Sequence, residues 1–207
     1  MRLSIVVLSL DPSIDIEPCL KAILVNRVPL KHQVKVVVAL NGHSAELEEA
    51  ARKYNARLFF TDHTDPALAN NAAAVYSTGD VLIFLNAGDC ISPLALDNIT
   101  LFLEPLIDWP PRAGEYIGGS ARVLPHESSL KHIPGLVLQE LFKRVGKVSL
   151  AMAWCRRRDF FEIGGFLPGP ALDKGCTIDF AHRLRDSRRD KRETLRRHAV
   201  CLRPRIS

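Results

Sequence analysis

Residues 66–93, PALANNAAAVYSTGDVLIFLNAGDCISP, constrain the fold of this 207-residue chain more than any other stretch. Ala67 to Tyr76 joins helix formers to small apolar residues. Ser77-Thr78-Gly79-Asp80 breaks that helix, with Gly79 free to take a left-handed cap. Val81 to Leu85 is an unbroken apolar run, the pattern of a strand covered on both faces of a parallel sheet. Asn86-Ala87-Gly88-Asp89 follows at once. In open α/β sheets, ligands bind beyond the carboxyl ends of the strands. An Asn and an Asp placed there, with a Gly between them, suit a ribose hydroxyl and a metal-bound diphosphate.

The rest of the chain repeats the strand and helix alternation. Strands are expected over Arg2 to Leu10, Val34 to Leu40, Ala56 to Phe60, Tyr116 to Val123, Val148 to Cys155 and Ala199 to Leu202. Helices are expected over Ile14 to Asn26, Ser44 to Tyr54 (with Ser44 as N-cap), Pro93 to Leu106, Leu136 to Val145, Asp159 to Ile163 and Thr177 to Arg188. That order predicts an α/β fold with a mixed, mainly parallel sheet flanked by helices. One domain over 1–207 is the expectation for this length.

Five cysteines, Cys19, Cys90, Cys155, Cys176 and Cys201, are scattered, and no C-x-x-C pair occurs. The pattern speaks against a zinc site or a secreted disulfide framework and for reduced thiols in a cytoplasmic protein. Met1 to Leu10 is apolar but too short to span a bilayer, and it lacks a small-residue cleavage site.

Ordered motifs along the chain resemble the family-2 inverting glycosyltransferases, which use the GT-A fold. Ser4-Ile5-Val6-Val7-Leu8 is similar to that family's first strand, and Glu17 to Leu24 to its first helix. Val34 to Leu40 with Asn41-Gly42 is similar to the second strand and its nucleotide-facing turn. Ala69-Asn70-Asn71-Ala72, Gly79-Asp80 and Phe84-Leu85-Asn86-Ala87-Gly88-Asp89 follow the family text "A-R-N-x-G … G-D-x-hydrophobic-L-D-A-D-D". Phe160 to Phe166 matches "F-x-x-h-G-G-F", and Asp179 to Leu184 resembles "D-L-x-x-R-L".

The resemblance implies a GT-A, Rossmann-like fold, with residues 1–100 as the nucleotide-sugar half and 101–207 as the acceptor half. It implies a hexosyltransferase moving a sugar from a nucleoside-diphosphate donor to a glycan or lipid-linked acceptor, as in cell-envelope polysaccharide synthesis. A divalent ion, Mg2+ or Mn2+, is implied as cofactor, held by Asp89 and the diphosphate. Donor contacts fall to Asp11, Asn41, Asn70, Asn71 and Asn86. The acceptor side falls to Trp154, Gly164, Gly165 and Phe166.

Departures from the pattern are specific. Asn86 stands for an Asp, Gly88 for the middle acid, and Asn70 for an Arg. Cys176-Thr177 stands on the Glu-Asp pair that carries the general base. A hydroxyl does not ionise near neutral pH, and a free thiol does so only when activated. That leaves Asp173 as the nearest candidate base. Asp89 alternatively caps the turn after its strand. Trp154 either stacks on a sugar or sits in the core. A non-catalytic module that binds nucleotide or a partner protein is the competing reading. A nucleotidyltransferase is disfavoured, because Leu10-Asp11-Pro12-Ser13 is no Gly-rich phosphate loop.

The net charge of +5 is uneven. Residues 1–150 hold 14 basic and 16 acidic groups, and the last 57 hold 14 and 7. Arg183 to Arg197 is the densest part. It is either a solvated helix with Asp186, Asp190 and Glu193 as partners, or a surface for anionic groups. The second reading places the protein peripherally at the inner face of a membrane. Nucleic acid is not expected, since no aromatics interleave with the arginines.

Overall fold

The computed structural model describes residues 1–27, 32–103, 117–125, 152–168, 176–187 and 196–203. In chain order these form β1 (Arg2–Ser9), α1 (Glu17–Arg27), β2 (Gln33–Asn41), α2 (Ala45–Lys53), β3 (Arg57–Thr61), α3 (Pro66–Tyr76), β4 (Val81–Asn86) and β5 (Cys90–Ile91). There follow α4 (Ala95–Leu103), β6 (Gly118–Pro125), β7 (Met152–Arg156), α5 (Arg157–Glu162), α6 (Cys176–Asp186) and β8 (Arg196–Arg203). The expected helix over 136–145, the turn at 108–112, Asp173 and most of the Arg-rich run lie outside the described residues.

One sheet runs β3-β2-β1-β4-β7-β6-β8-β5. The β3, β2, β1 and β4 strands are mutually parallel, in register from Leu3↔Val34 and Leu3↔Val81 onward. The β7 strand then pairs antiparallel with β4, placing Trp154 opposite Ile83. The sheet is therefore mixed and mainly parallel in its first half.

The apolar runs are continuous because both sheet faces are covered. Ile5 and Val7 join Val36, Val38, Ile83 and Leu85 under α1, α2 and α4. Val6 and Leu8 join Ala39, Leu82 and Phe84 on the opposite face, under α3, α5 and α6. Burying each such side chain contributes about 1.5–3 kcal/mol. On the second face Phe84, Phe160, Phe166 and Phe180 form one ring cluster, with centroids 4.6–5.5 Å apart. This cluster fixes α5, α6 and the segment between them to the sheet.

Several boundaries differ from expectation for local reasons. The first helix starts at Glu17, because Asp11 and Asp15 accept backbone N–H bonds from Ser13 and Glu17 and hold the intervening residues as turns. Ser44 occupies the N-cap of α2 without a side-chain cap bond. The α3 helix is capped instead by Asp65, which accepts from Ala67 N at 2.7 Å and Leu68 N at 3.2 Å, with Pro66 at the first position.

Gly79 is not the left-handed cap expected of it: α3 ends on an extended Ser77, and the left-handed glycines among the described residues are Gly42, Gly164 and Gly165. A Cβ on Gly79 would lie 2.6 Å from the Ser4 amide nitrogen and 2.9 Å from the Leu3 carbonyl carbon. Close approach of two chain segments, not φ, explains the glycine. Beside it, Arg2 forks onto Asp80, which lowers the Asp80 pKa through hydrogen bonding first. The two-residue β5, paired with β8 at the far edge, has no signature in the sequence.

Candidate functional site at the β1–β4 crevice

Strand order reverses between β1 and β4: β1 leads outward to β2 and β3, whereas β4 leads to β7 and β6. Such a switch point opens a crevice beyond the strand ends. Asp11 follows β1 there, and Asn86 to Asp89 follow β4. The two ends are tied together by Ala87 N donating to Leu8 O at 2.9 Å.

Asp89 is 2% exposed, whereas Asn86 is exposed. The Asn86 amide donates to Asp89 Oδ2 at 3.1 Å, and Asp89 N donates back to Asn86 O at 3.0 Å. The loop is thus a tight turn with an amide standing over a buried carboxylate. The functional and turn-capping alternatives for Asp89 share one geometry. Gly88 is not held by space. A Cβ there would meet only Ile14 Cγ2, at 3.8 Å, and the residue does not adopt left-handed backbone. An acid fits at 88, so its replacement changes chemistry rather than packing.

Asp11 Oδ1 accepts from Ser13 N at 2.9 Å and from Ser13 Oγ at 2.7 Å. The Ser13 hydroxyl, then its amide, lower the Asp11 pKa. The carboxylate stays exposed and charged at the rim. Asn41 ends β2 opposite Thr61, before Gly42 at φ 80°. His43 stacks on Phe60 with centroids 4.3 Å apart.

Asn70 is 8% exposed, and its Oδ1 accepts no hydrogen bond. Leaving such an acceptor unmade costs about 1–3 kcal/mol. Asn71 spends its whole amide on the next segment. Its Nδ2 donates to Phe166 O at 2.8 Å, and its Oδ1 accepts from Phe166 N at 2.9 Å. Gly165, at φ 68°, lies so close that a Cβ would be 2.6 Å from Asn71 Oδ1. Arg183 holds the same loop from α6, donating to Ile163 O at 2.7 Å, Gly165 O at 2.6 Å and Asp179 Oδ2 at 2.6 Å. In the sequence Arg183 stands both in the basic run and as the Arg of the Asp179 to Leu184 match, with no partner assigned to it. The Asp179–Arg183 spacing of four was the available signal.

Two further positions take structural places. Trp154 is fully buried in the core, so the core alternative is the one adopted, and its Nε1 has no acceptor. Arg157 donates to the Ala74 carbonyl at 2.8 Å and also to the Ser77 carbonyl, closing the last turn of α3.

A divalent cation requires several oxygen ligands. Among the described residues no three His, Cys, Asp or Glu side chains are grouped to hold one. The loop offers a single carboxylate, and its neighbour at 88 carries none. These residues fit a cation as one ligand among several, with the diphosphate supplying the others. Reaching Asp89 displaces the Asn86 amide, a charged hydrogen bond of roughly 1.5–3 kcal/mol.

No protein-family profile matches the chain, and no curated protein matches it in sequence. Solved structures do match. The mannosyltransferase PcManGT of Pyrobaculum calidifontis, in complex with GDP-Man and Mn2+, superposes at TM-score 0.66 and 17% identity, over 97% of this chain and 56% of its own. Residues 1–349 of S. aureus TarS, in complex with UDP-GlcNAc, give 0.69 and 13%, over 100% of this chain and 59% of that one. The fold is GT-A.

Glucosyl-3-phosphoglycerate synthase of Mycobacterium tuberculosis, in complex with Mn2+, UDP and glucosyl-3-phosphoglycerate, shares GT-A at TM-score 0.64 and 15% identity, over 100% and 73% of the two chains. The present chain spans little more than half the length of PcManGT and of the TarS fragment. At these identities the likeness establishes GT-A architecture and the expected resemblance to the GT-A glycosyltransferases. Among the described residues, no helix is long and apolar enough to cross a membrane.

Proposed function

We propose that this chain binds a nucleoside-diphosphate sugar in the β1–β4 crevice and transfers its hexose to a glycan or lipid-linked acceptor with inversion. The observation that carries the reading is the exposed Asn86 amide standing over the buried Asp89 carboxylate at the switch point. The nucleotide sugars in complex with PcManGT and TarS support it by analogy of fold.

In this reading residues 1–100 bind the donor and 101–207 the acceptor. Asn86 contacts the ribose, Asn41 and Asp11 the base and ribose edge, and Asn70 the diphosphate through its amide Nδ2 as donor. Asn71 positions the Gly164-Gly165-Phe166 turn beside the donor rather than touching it. Asp89 holds the Mg2+ or Mn2+ ion, which when bound neutralises charge on the leaving diphosphate. Asp173 takes the proton of the acceptor hydroxyl. The hydroxyl oxygen then bonds the anomeric carbon as the carbon–phosphate-oxygen bond breaks, and the nucleoside diphosphate leaves.

Thermal unfolding with UDP-, GDP- and dTDP-sugars, each with and without Mn2+, tests the donor site. Saturation a hundredfold above Kd stabilises by about 2.7 kcal/mol, several degrees of Tm for a chain of this size. One nucleotide should raise Tm, more so with Mn2+. No shift with any of them contradicts the reading.

A second reading, nucleotide binding without turnover, is favoured by Cys176-Thr177 at the place of the Glu-Asp pair and by the lone carboxylate at Asp89. It predicts the same Tm shift with no release of nucleoside diphosphate.

A further inference from the structure

We propose that this chain docks on an anionic lipid bilayer through the amino edge of its sheet, the edge opposite the donor crevice. The β1, β2, β3 and β4 strands are parallel, so their amino ends share one side. The antiparallel β7 ends on that side too, with Arg156 opposite Val81. Arg57 opens β3, Arg2 opens β1, and Lys35 is the third residue of β2. Arg156 closes β7, and Arg157 and Arg158 follow it into α5. Neighbouring strands lie about 4.8 Å apart, so these basic residues form one row. The carboxyl edge is the reverse. Its loops over residues 10–16, 41–44, 62–65 and 87–94 hold no Lys or Arg, and they hold five aspartates, Asp11, Asp15, Asp62, Asp65 and Asp89.

Four of these cations converge on the turn from α3 to β4. Lys35 Nζ donates to Thr78 Oγ1 at 3.3 Å. Arg57 donates to Tyr76 Oη at 3.0 Å and covers its ring at 4.7 Å. The Arg157 guanidinium, bound to the Ala74 and Ser77 carbonyls, stacks at 4.8 Å on Phe161. Arg2 pairs with Asp80 at 2.8 Å. The acids nearby are few and engaged: Asp80 by Arg2, and the buried Asp159 by Arg158 at 3.6 Å, with Glu162 at the far end of α5. Among the described residues, Lys35, Arg57 and Arg157 contact no carboxylate. Their charge projects from this edge, where an anionic surface complements it.

Charge makes the occupant anionic, and the apolar residues among the cations make it a bilayer. Val75, 67% exposed, stands on the last turn of α3, and Phe161, 42% exposed, on α5. Apolar side chains ringed by Lys and Arg are the composition of surfaces that enter a headgroup layer. Arg57 and Arg157 lie on aromatic rings, which keeps each cation beside an apolar body at the water boundary, within reach of lipid phosphates. A nucleic acid is the poorer fit, because the guanidinium groups take a face of Tyr76 and of Phe161 that base stacking would use. The surface lies at the other edge of the sheet from the donor crevice and is independent of the proposed activity.

Co-sedimentation with vesicles tests this. The full chain should pellet with vesicles of about one phosphatidylserine to two phosphatidylcholine and stay in solution with phosphatidylcholine alone. Binding should fall away between about 0.1 M and about 1 M salt, as the Debye length drops from about 10 Å to about 3 Å. A basic residue near such a surface contributes about fivefold, so Lys35→Gln with Arg57→Gln should weaken binding about twenty-fivefold with native circular dichroism. Lys35→Gln alone, with about a fivefold loss, replaces the pair should the double variant lose its native spectrum. Adding Asp62→Lys to the double variant restores the net charge at the carboxyl edge and should not restore binding. A wild-type chain that stays in solution with the phosphatidylserine vesicles, or pellets equally with neutral ones, overturns the proposal. So does a neutralised variant that binds as the wild type does, rescue by Asp62→Lys, or displacement from the vesicles by an equal charge concentration of duplex DNA.

Discussion

Gly88 shows how one position separates chemistry from packing. A side chain fits there, with Ile14 Cγ2 at 3.8 Å as the nearest neighbour, so no steric reason keeps the acid out. Gly79 is the opposite case, since any side chain would meet the backbone of Leu3 and Ser4. Both glycines were visible in the sequence, but their reasons were not. A glycine required by a neighbouring strand looks the same as one required by φ. Trp154 was legible only as a pair of alternatives, because its burial depends on β7, which carries it, pairing between β4 and β6. The Gly88 observation yields a direct prediction. Gly88→Asp should fold with Tm near the wild-type value and should strengthen the Mn2+ dependence of nucleotide binding by on the order of tenfold, about 1.4 kcal/mol. Titration of nucleotide with and without Mn2+ checks it. Unchanged metal dependence would show that a carboxylate at position 88 does not reach the cation.

At the scale of elements, α3 does three things at once. Its inner alanines seat it on the sheet, Asn71 anchors the Gly164-Gly165-Phe166 turn, and Arg157 closes its last turn from α5. Its existence was plain from composition and from the Gly79-Asp80 break. The assignment of Asn71 to the donor came from resemblance alone. The amide clamp needs a partner 95 residues away, which periodicity cannot reveal. The turn depends on that clamp, because Gly164 and Gly165 both hold left-handed backbone. Asn71→Ala leaves the Phe166 N–H and C=O without their partner and should cost on the order of 2 kcal/mol. If the turn positions the acceptor, the variant should lose acceptor-dependent turnover while nucleotide binding persists. Equal loss of both would place Asn71 on the donor instead. Thermal unfolding and donor titration separate the two outcomes.

For the whole molecule, the parallel half was legible because each strand is buried on both faces and therefore reads as an unbroken apolar run. The register of β1 with β2 and β4 follows from those runs. The far half was less so. Strands near 116–123 and 199–202 were expected, but the parallel pairing of β6 with β8 and the two-residue β5 were not, since a strand's partner and so short a strand leave no periodicity to read. Likewise the crevice was legible as a place, beyond β4, but the burial of Asp89 beneath Asn86 was not, since it depends on the turn that Ala87 makes against β1. The central claim is that this crevice, with Asn86 over Asp89, receives a nucleoside-diphosphate sugar. Calorimetric titration of the stabilising nucleotide sugar, in Mn2+, into the wild-type chain and into an Asn86→Ala variant tests it most directly. Saturable one-site binding to the wild type is expected, with a loss of about tenfold in the variant, the size of one ribose hydrogen bond. Equal affinity in the two proteins, or no heat with either, would contradict it.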